Sequence, residues 1–171
     1  MTIVPLSVCE YRGKSYTFSY ETPGYYDIVR EDGAFRFVYT ETAPQKRGFT
    51  DTLCSPWLEE PVLYGAMEGE CLAGFIEGSR ESWNKRFRIS NLLVFEGSRR
   101  RGVGSALMER MLAHARDSGA RMAVLETQSC NLPAIRFYRK HGFKCIGFDL
   151  YAYSNRDPEV HEVRLEMGLA L

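Results

Sequence analysis

The chain has 171 residues with 22 basic and 22 acidic side chains, so its formal charge is zero and its length predicts one domain with a real core. With 44% hydrophobic and 26% charged residues it is not a predominantly disordered chain. A pI near 6.8 gives no global attraction for nucleic acid, and no apolar run reaches membrane-spanning length. With no charged region followed by an apolar signal segment at the N-terminus, the chain reads as cytoplasmic, with neither nucleic acid nor membrane as a partner.

Residues 1–33 are an N-terminal extension of unclear role. Within it Tyr16–Tyr20 alternates like a strand, and Glu21-Thr-Pro-Gly24 has the composition of a turn. Tyr26–Arg30, the turn Glu31-Asp32-Gly33 and Ala34–Tyr39 predict a hairpin, because Asp-Gly favours the tight turns that join antiparallel strands. From Thr40 to Pro61 periodicity is poor, which predicts a loop or short helix over the sheet. Val62–Met67 and Cys71–Ile76 flank the turn Glu68-Gly-Glu70 as a second hairpin. A further turn over Arg80–Lys85 returns into a strand, Ile89–Phe95.

That strand leads through Glu96-Gly97-Ser98 into a basic bend, Arg99-Arg100-Arg101-Gly102-Val103-Gly104. Val103, Leu107, Met108, Met111, Leu112 and Ala115 then recur at helical spacing. A strand, a glycine bend and a helix start present backbone N–H groups and the positive end of a helix dipole to one point, which suits a phosphate or pyrophosphate. The pattern is Arg-x-x-Gly-x-Gly, distinct from the dinucleotide fingerprint and the P-loop. Taken alone, the arginines fit a solvated charged face equally well.

Gly119 predicts the end of the helix. Arg121–Thr127 is the next strand, and Asn131-Leu-Pro133 opens a short helix, Ala134–Lys140, closed by His141-Gly142. Phe143–Tyr153 and Val160–Met167 predict two last strands around Ser154–Pro158. The sum is an α+β chain with a parallel crossover. Five dispersed cysteines (Cys9, Cys54, Cys71, Cys130, Cys145) predict reduced, mostly buried thiols. His114, His141 and His161 have no recognisable partner pattern, and no metal site is expected.

The succession strand, Arg99-x-x-Gly102-x-Gly104, helix, strand ending Leu125-Glu126, Asn131, Phe137-Tyr138-x-x-x-Gly142-Phe143 resembles the GNAT superfamily of acyl-CoA-dependent N-acetyltransferases. It covers residues 62–171 most clearly. Ser82–Lys85, Leu125–Asn131 and Leu150–Tyr153 are similar, more narrowly, to streptothricin acetyltransferases. The resemblance implies a single acetyltransferase domain over 1–171. It also implies a mixed, mostly antiparallel sheet with a central splayed parallel strand pair and flanking helices.

Acetyl-CoA is the implied co-substrate, and a small-molecule amine the implied partner. Its pantetheine arm would meet the strand edge Leu92-Leu93-Val94 and Asn131. Its pyrophosphate would sit on Arg99, Arg100, Arg101, Gly102, Val103, Gly104 and Ser105. Tyr138 would be the general acid toward the departing thiolate and Glu126 the base. Each has a plainer alternative: Asn131 a helix cap, Tyr138 core packing, Glu126 an orienting carboxylate. A base is required because a lysine-like amine of pKa ~10.4 is almost wholly protonated at neutrality.

The narrower resemblance implies the β-lysine amine of streptothricin as acceptor, and hence antibiotic resistance. Asp51, Glu59, Glu60, Trp57 and Trp83 would then be pocket residues, or otherwise surface charges and core aromatics. Protein or peptide N-acetylation and a non-catalytic acyl-CoA sensor are the alternatives. Dimers are common in the superfamily, though no residue here marks a homodimer.

Overall fold

The computed structural model describes residues 1–171. Nine strands and three α-helices follow in order: β1 (Thr2–Pro5), α1 (Val8–Tyr11), β2 (Ser15–Glu31), β3 (Ala34–Thr52), β4 (Glu59–Glu68), β5 (Cys71–Glu81), β6 (Arg86–Val94), α2 (Val103–Asp117), β7 (Met122–Gln128), α3 (Leu132–Lys140), β8 (Lys144–Asp149) and β9 (Arg164–Ala170). This is the expected mixed α+β class. The chain forms two compact units, one of Met1–Phe18, Thr50–Leu125 and Leu169–Leu171, the other of Ser19–Phe49 and Glu126–Gly168.

In the first unit the strand order is β1-β4-β5-β6-β7. β1, β4, β5 and β6 pair antiparallel, and β6 with β7 is parallel. β5 is buried without a break from Ala73 to Ser79, as a strand covered on both faces must be. Gly74 approaches Val103 of α2, while its neighbour Phe75 joins Phe18, Leu53, Leu63 and Leu93 in a hydrophobic cluster. α2 packs over β4, β5 and β6 with Val103, Leu107, Met108, Met111, Leu112 and Ala115 buried, the stripe its spacing predicts. Gly119, at φ 73°, ends the helix as expected.

The second unit holds most of the β2–β3 hairpin, α3 and the antiparallel pair β8–β9. Leu132 and Ile135 of α3 pack with Leu165 of β9, flanked by Tyr26, Ile28 and Phe148. The Asp32-Gly33 turn has both residues at positive φ (50° and 80°), the conformation its composition predicts.

Four expectations are corrected here. Residues 21–24 are not a turn: β2 runs straight through Pro23 and Gly24. Gly24 serves close approach instead, since a Cβ there would lie 2.3 Å from Thr40 O. Residues 40–52 are not irregular but the continuation of β3, exposed over most of its length and so without periodicity. β8 stops at Asp149 and β9 starts at Arg164, so Tyr151–Tyr153 and Val160–Val163 lie in a loop. That loop folds on the buried Asp157, which accepts from Tyr153 N (2.7 Å) and Ser154 Oγ (2.6 Å). Burial pushes the Asp157 carboxyl up, but those hydrogen bonds outweigh it and hold it below the usual range.

Candidate active site

The parallel ladder between β6 and β7 is short. It runs from Arg86↔Met122 to Ile89↔Leu125 and stops, while β6 continues to Val94 paired only with β5. The other side of β6 becomes irregular one residue on. β5 and β6 change register between Glu77↔Asn91 and Gly78↔Ile89, which leaves Ser90 as the extra residue of a bulge. A bulge bends its strand and raises the local twist, and the parallel ladder ends at Ile89, the residue before it. The stretch after the bulge contains Leu92, Leu93 and Val94, the expected pantetheine edge.

A carboxylate meets the bulge. Glu77, with no exposed surface, accepts from Ser90 Oγ (2.7 Å) and Asn91 Nδ2 (2.9 Å) through one oxygen. Its other oxygen accepts from Cys54 N (2.6 Å). Burial, and secondarily the Glu77 carboxylate, push the Cys54 thiol up to about 11, which keeps it protonated at neutrality.

Beyond β6 a 3-10 turn, Glu96–Ser98, leads into the basic bend. Arg100 and Gly102 are left-handed, at φ 60° and 84°. No side chain caps the N-terminus of α2, and its first helical bond is Ala106 N to Gly102 O. Val103 is buried, whereas Gly104 and Ser105 in the first turn are half-buried. A Cβ at Gly97 or Gly102 would meet nothing within 4 Å, so the bend has open space beside it. An uncapped helix start with open space fits an anionic group.

The three arginines are not equivalent. Arg99 Nε donates to Val94 O (3.2 Å), turning back on the strand end. Arg101 Nη1 pairs with Glu68 Oε2 (3.0 Å), which also accepts from Ser98 Oγ (3.3 Å). Arg100 is exposed. Arg99 and Arg101 therefore have partners on β6 and β4 that the spacing alone does not reveal.

Glu126, Asn131 and Tyr138 all belong to the second unit. Glu126 is exposed; its carboxylate accepts from Tyr153 Oη (3.4 Å) and pairs with Arg164 Nη1 (3.6 Å). Burial first, and the Glu126 charge next, push the Tyr153 hydroxyl well above its ordinary range, so it stays a donor. Tyr138 packs its ring against Phe137 (5.7 Å) and Phe143 (6.1 Å), and burial pushes its hydroxyl up to about 12. Asn131 caps α3: its Oδ1 accepts from Ala134 N (3.2 Å).

Capping uses only the oxygen of the Asn131 amide and leaves the Nδ2 donors for other work. The resemblance gives those donors to the pantetheine arm of acetyl-CoA, and on that expectation Asn131→Asp should keep the melting temperature and lower acetyl-CoA affinity. Asn131→Ala should cost ~1 kcal/mol of stability as well. Thermal melts with titration calorimetry on both variants separate the roles; equal affinity in wild type and Asn131→Asp assigns the residue to the cap alone.

Two histidines have partners their sequence context did not show. His114 Nδ1 lies 3.1 Å from Tyr64 Oη, and burial and Arg110 lower its pKa. His161 sits in a loop at φ 61°, with Nδ1 2.7 Å from Asp27 Oδ1 and its ring stacked on Tyr25 at 3.7 Å. His141 is the C-cap of α3, as expected. All five cysteines are free, but only Cys54 and Cys130 are buried, which corrects the expectation of mostly buried thiols. Cys130 Sγ touches Tyr20 Oη (3.4 Å) and Arg47 Nη1 (3.6 Å).

Trp57 and Trp83 are 68% and 82% exposed, so neither is a core aromatic. Trp83 lies in the β5–β6 turn, at the opposite end of β6 from the glycine bend. Asp51 and Glu59 already serve backbone donors, Thr52 N (2.7 Å) and Ser82 N (3.0 Å). No helix is long and apolar enough to cross a membrane, and no group of three metal-ligating side chains forms.

Residues 9–143 match the acetyltransferase (GNAT) family. The chain is 39% identical to the streptothricin acetyltransferase of Streptomyces lavendulae over 88 residues, 52% of this chain and 47% of that protein. It is 30% identical to the Escherichia coli streptothricin acetyltransferase over 135 residues, 79% of this chain and 75% of that protein. The matches thus span about half of the first relative and three quarters of the second. A Bacillus anthracis protein solved in complex with acetyl coenzyme A shares the fold, with a TM-score of 0.78, 20% identity and 99% and 97% of the two chains covered. The family match begins before β2 and so takes in the hairpin as well as the glycine bend. With a family match over most of its length and a relative 30% identical across 79% of it, this chain is a member of the acetyltransferase (GNAT) family.

Proposed function

We propose that the chain is an acetyl-CoA-dependent N-acetyltransferase acting on a primary amine, with the β-lysine amine of streptothricin as acceptor. The observation that carries the reading is the end of the parallel β6–β7 ladder at Ile89↔Leu125, which leaves the last residues of β6 paired only with β5 on the way to the uncapped N-terminus of α2. The two streptothricin acetyltransferase relatives support the acceptor. The acetyl-CoA complex of the Bacillus anthracis protein supports the donor. In this reading the chain belongs to antibiotic resistance.

The donor supplies an activated thioester. The backbone amides of β6 beyond the bulge polarise its carbonyl, a preorganised stabilisation of developing negative charge. The α2 N-terminus and the bend hold the pyrophosphate. Glu126, directly or through water, takes the proton that the amine must lose before attack. Tyr138, kept protonated by burial, gives a proton to the departing sulfur. No acyl-enzyme is needed: both substrates are held together and the amine attacks directly.

The test is acetyl-CoA-dependent thiol release on a panel of streptothricin, aminoglycosides, polyamines and short peptides. Turnover of streptothricin above the rest is the expected result. Turnover confined to peptides makes the chain a protein or peptide acetyltransferase. Tight acetyl-CoA binding with no turnover on any of them makes it a sensor.

A further inference from the structure

We infer that Glu77 is a positioning residue for the acetyl-donor cleft. It is the group that fixes the bulge at Ser90 and so sets the course of β6 after its ladder with β7 ends; this rests on the function proposed above. Glu77 lies in the middle of the buried run Ala73–Ser79, where a carboxylate is costly unless fully partnered. It is fully partnered. One oxygen takes Ser90 Oγ (2.7 Å) and Asn91 Nδ2 (2.9 Å), the extra residue of the bulge and the first residue beyond it. The other takes Cys54 N (2.6 Å). All three partners donate, so the site calls for a group that only accepts.

The geometry distinguishes this from ordinary core packing. A bulged residue has no ladder partner on the opposite strand, and its strand can slide by one position into a regular register. Such a slide would send Leu92, Leu93 and Val94 to the opposite faces. The carboxylate holds the two residues at which register changes and leaves the regular ladder on either side alone. It also fixes Cys54, a left-handed residue at φ 55°, whose carbonyl accepts from Arg12 Nη1 (3.3 Å). The loop after β3 and the bulged edge of β6 thus share one anchor within the first unit.

Glu77 touches neither the substrate nor the reacting atoms in this reading; it acts through the edge. Glu77→Gln keeps the shape but places an amide N–H₂ among three donors, and Ser90→Ala removes one donor and leaves the carboxylate two. The first experiment is hydrogen exchange on the ligand-free protein. Amides of residues 89–94 in both variants should exchange about tenfold faster or more, with β1, β4 and α2 unchanged. The second is acetyl-CoA affinity and kcat, each expected to fall by ~10- to 100-fold, since small displacements of reacting groups cost that much.

Uniformly faster exchange, or a lowered melting temperature with unchanged exchange at 89–94, acetyl-CoA affinity and kcat, overturns the assignment and leaves Glu77 a stability residue. Wild-type protein that binds no acetyl-CoA defeats the proposed function instead. The exchange pattern still decides whether Glu77 fixes the bulge.

Discussion

Tyr138→Phe is expected to lower kcat by about 100-fold or more, the range removed with a positioned general acid, while acetyl-CoA affinity changes by less than ~twofold. The ring of Tyr138 is packed against Phe137 and Phe143, contacts that phenylalanine keeps, so the fold has no reason to change. The variant removes only the hydroxyl. Burial raises that hydroxyl from 10.0 to about 12, so it holds its proton through the neutral range. The descending limb that Tyr138 imposes on kcat therefore lies toward pH 12, not near neutrality. The same shift has a stability consequence of fixed sign. A folded-state value raised above the unfolded one gives a contribution that is complete below pH 10 and lost as pH climbs to about 12. Steady-state kinetics against pH, with calorimetry on both proteins, check the prediction. Equal losses in affinity and turnover would make the ring a packing element.

The second large effect is expected at Gly102. Its φ of 84° is open to glycine and costs an L-residue roughly 1–2 kcal/mol, more when the side chain is β-branched. A Cβ there would touch nothing within 4 Å, so the penalty of Gly102→Val is conformational and falls on the bend. Loss of the left-handed turn re-aims the first N–H groups of α2, and acetyl-CoA affinity should weaken about tenfold or more. Gly102→Asn is the matched control, because asparagine enters this region at little cost. It should bind acetyl-CoA nearly as wild type does. If Val and Asn variants bind equally well by calorimetry, the bend does not cradle the pyrophosphate.

Much of this architecture is legible in the amino-acid sequence. The strand–bend–helix of residues 89–117, the Gly119 stop, the Asn131 start of α3 and the Asp32-Gly33 hairpin turn each carry a local signal that tertiary structure did not override. The failures have physical reasons. β3 is exposed along most of its length, and a strand with no buried face shows no alternation. Pro23-Gly24 has turn composition, yet the glycine is there because the backbone at Thr40 comes too close for any side chain. Asp157 curls the 150–163 loop through short hydrogen bonds that residue spacing does not encode.

At the site, the glycine bend could be read from its sequence, whereas the contacts of Arg99 and Arg101 could not. Their partners, Val94 O and Glu68, are set by the fold. Glu77 had one visible signal: a lone acidic residue inside the apolar run Ala73-Gly-Phe-Ile-Glu-Gly78. A charge in such a run is either a strand end or a buried anchor, and here it is the anchor. The Asp27–His161 pair joins residues 134 positions apart and left no local trace.

The placement of the sulfurs bears on how turnover is measured. Cys9, Cys71 and Cys145 are exposed, while Cys54 and Cys130 are buried. A colorimetric disulfide reagent that counts liberated coenzyme A also counts the protein's own accessible thiols. The native chain contributes a stoichiometric offset from three sulfurs, and unfolding adds two more. The size of that offset reports whether the loop at Cys54 and the turn at Cys130 are closed, so the blank of the assay doubles as a probe of the fold.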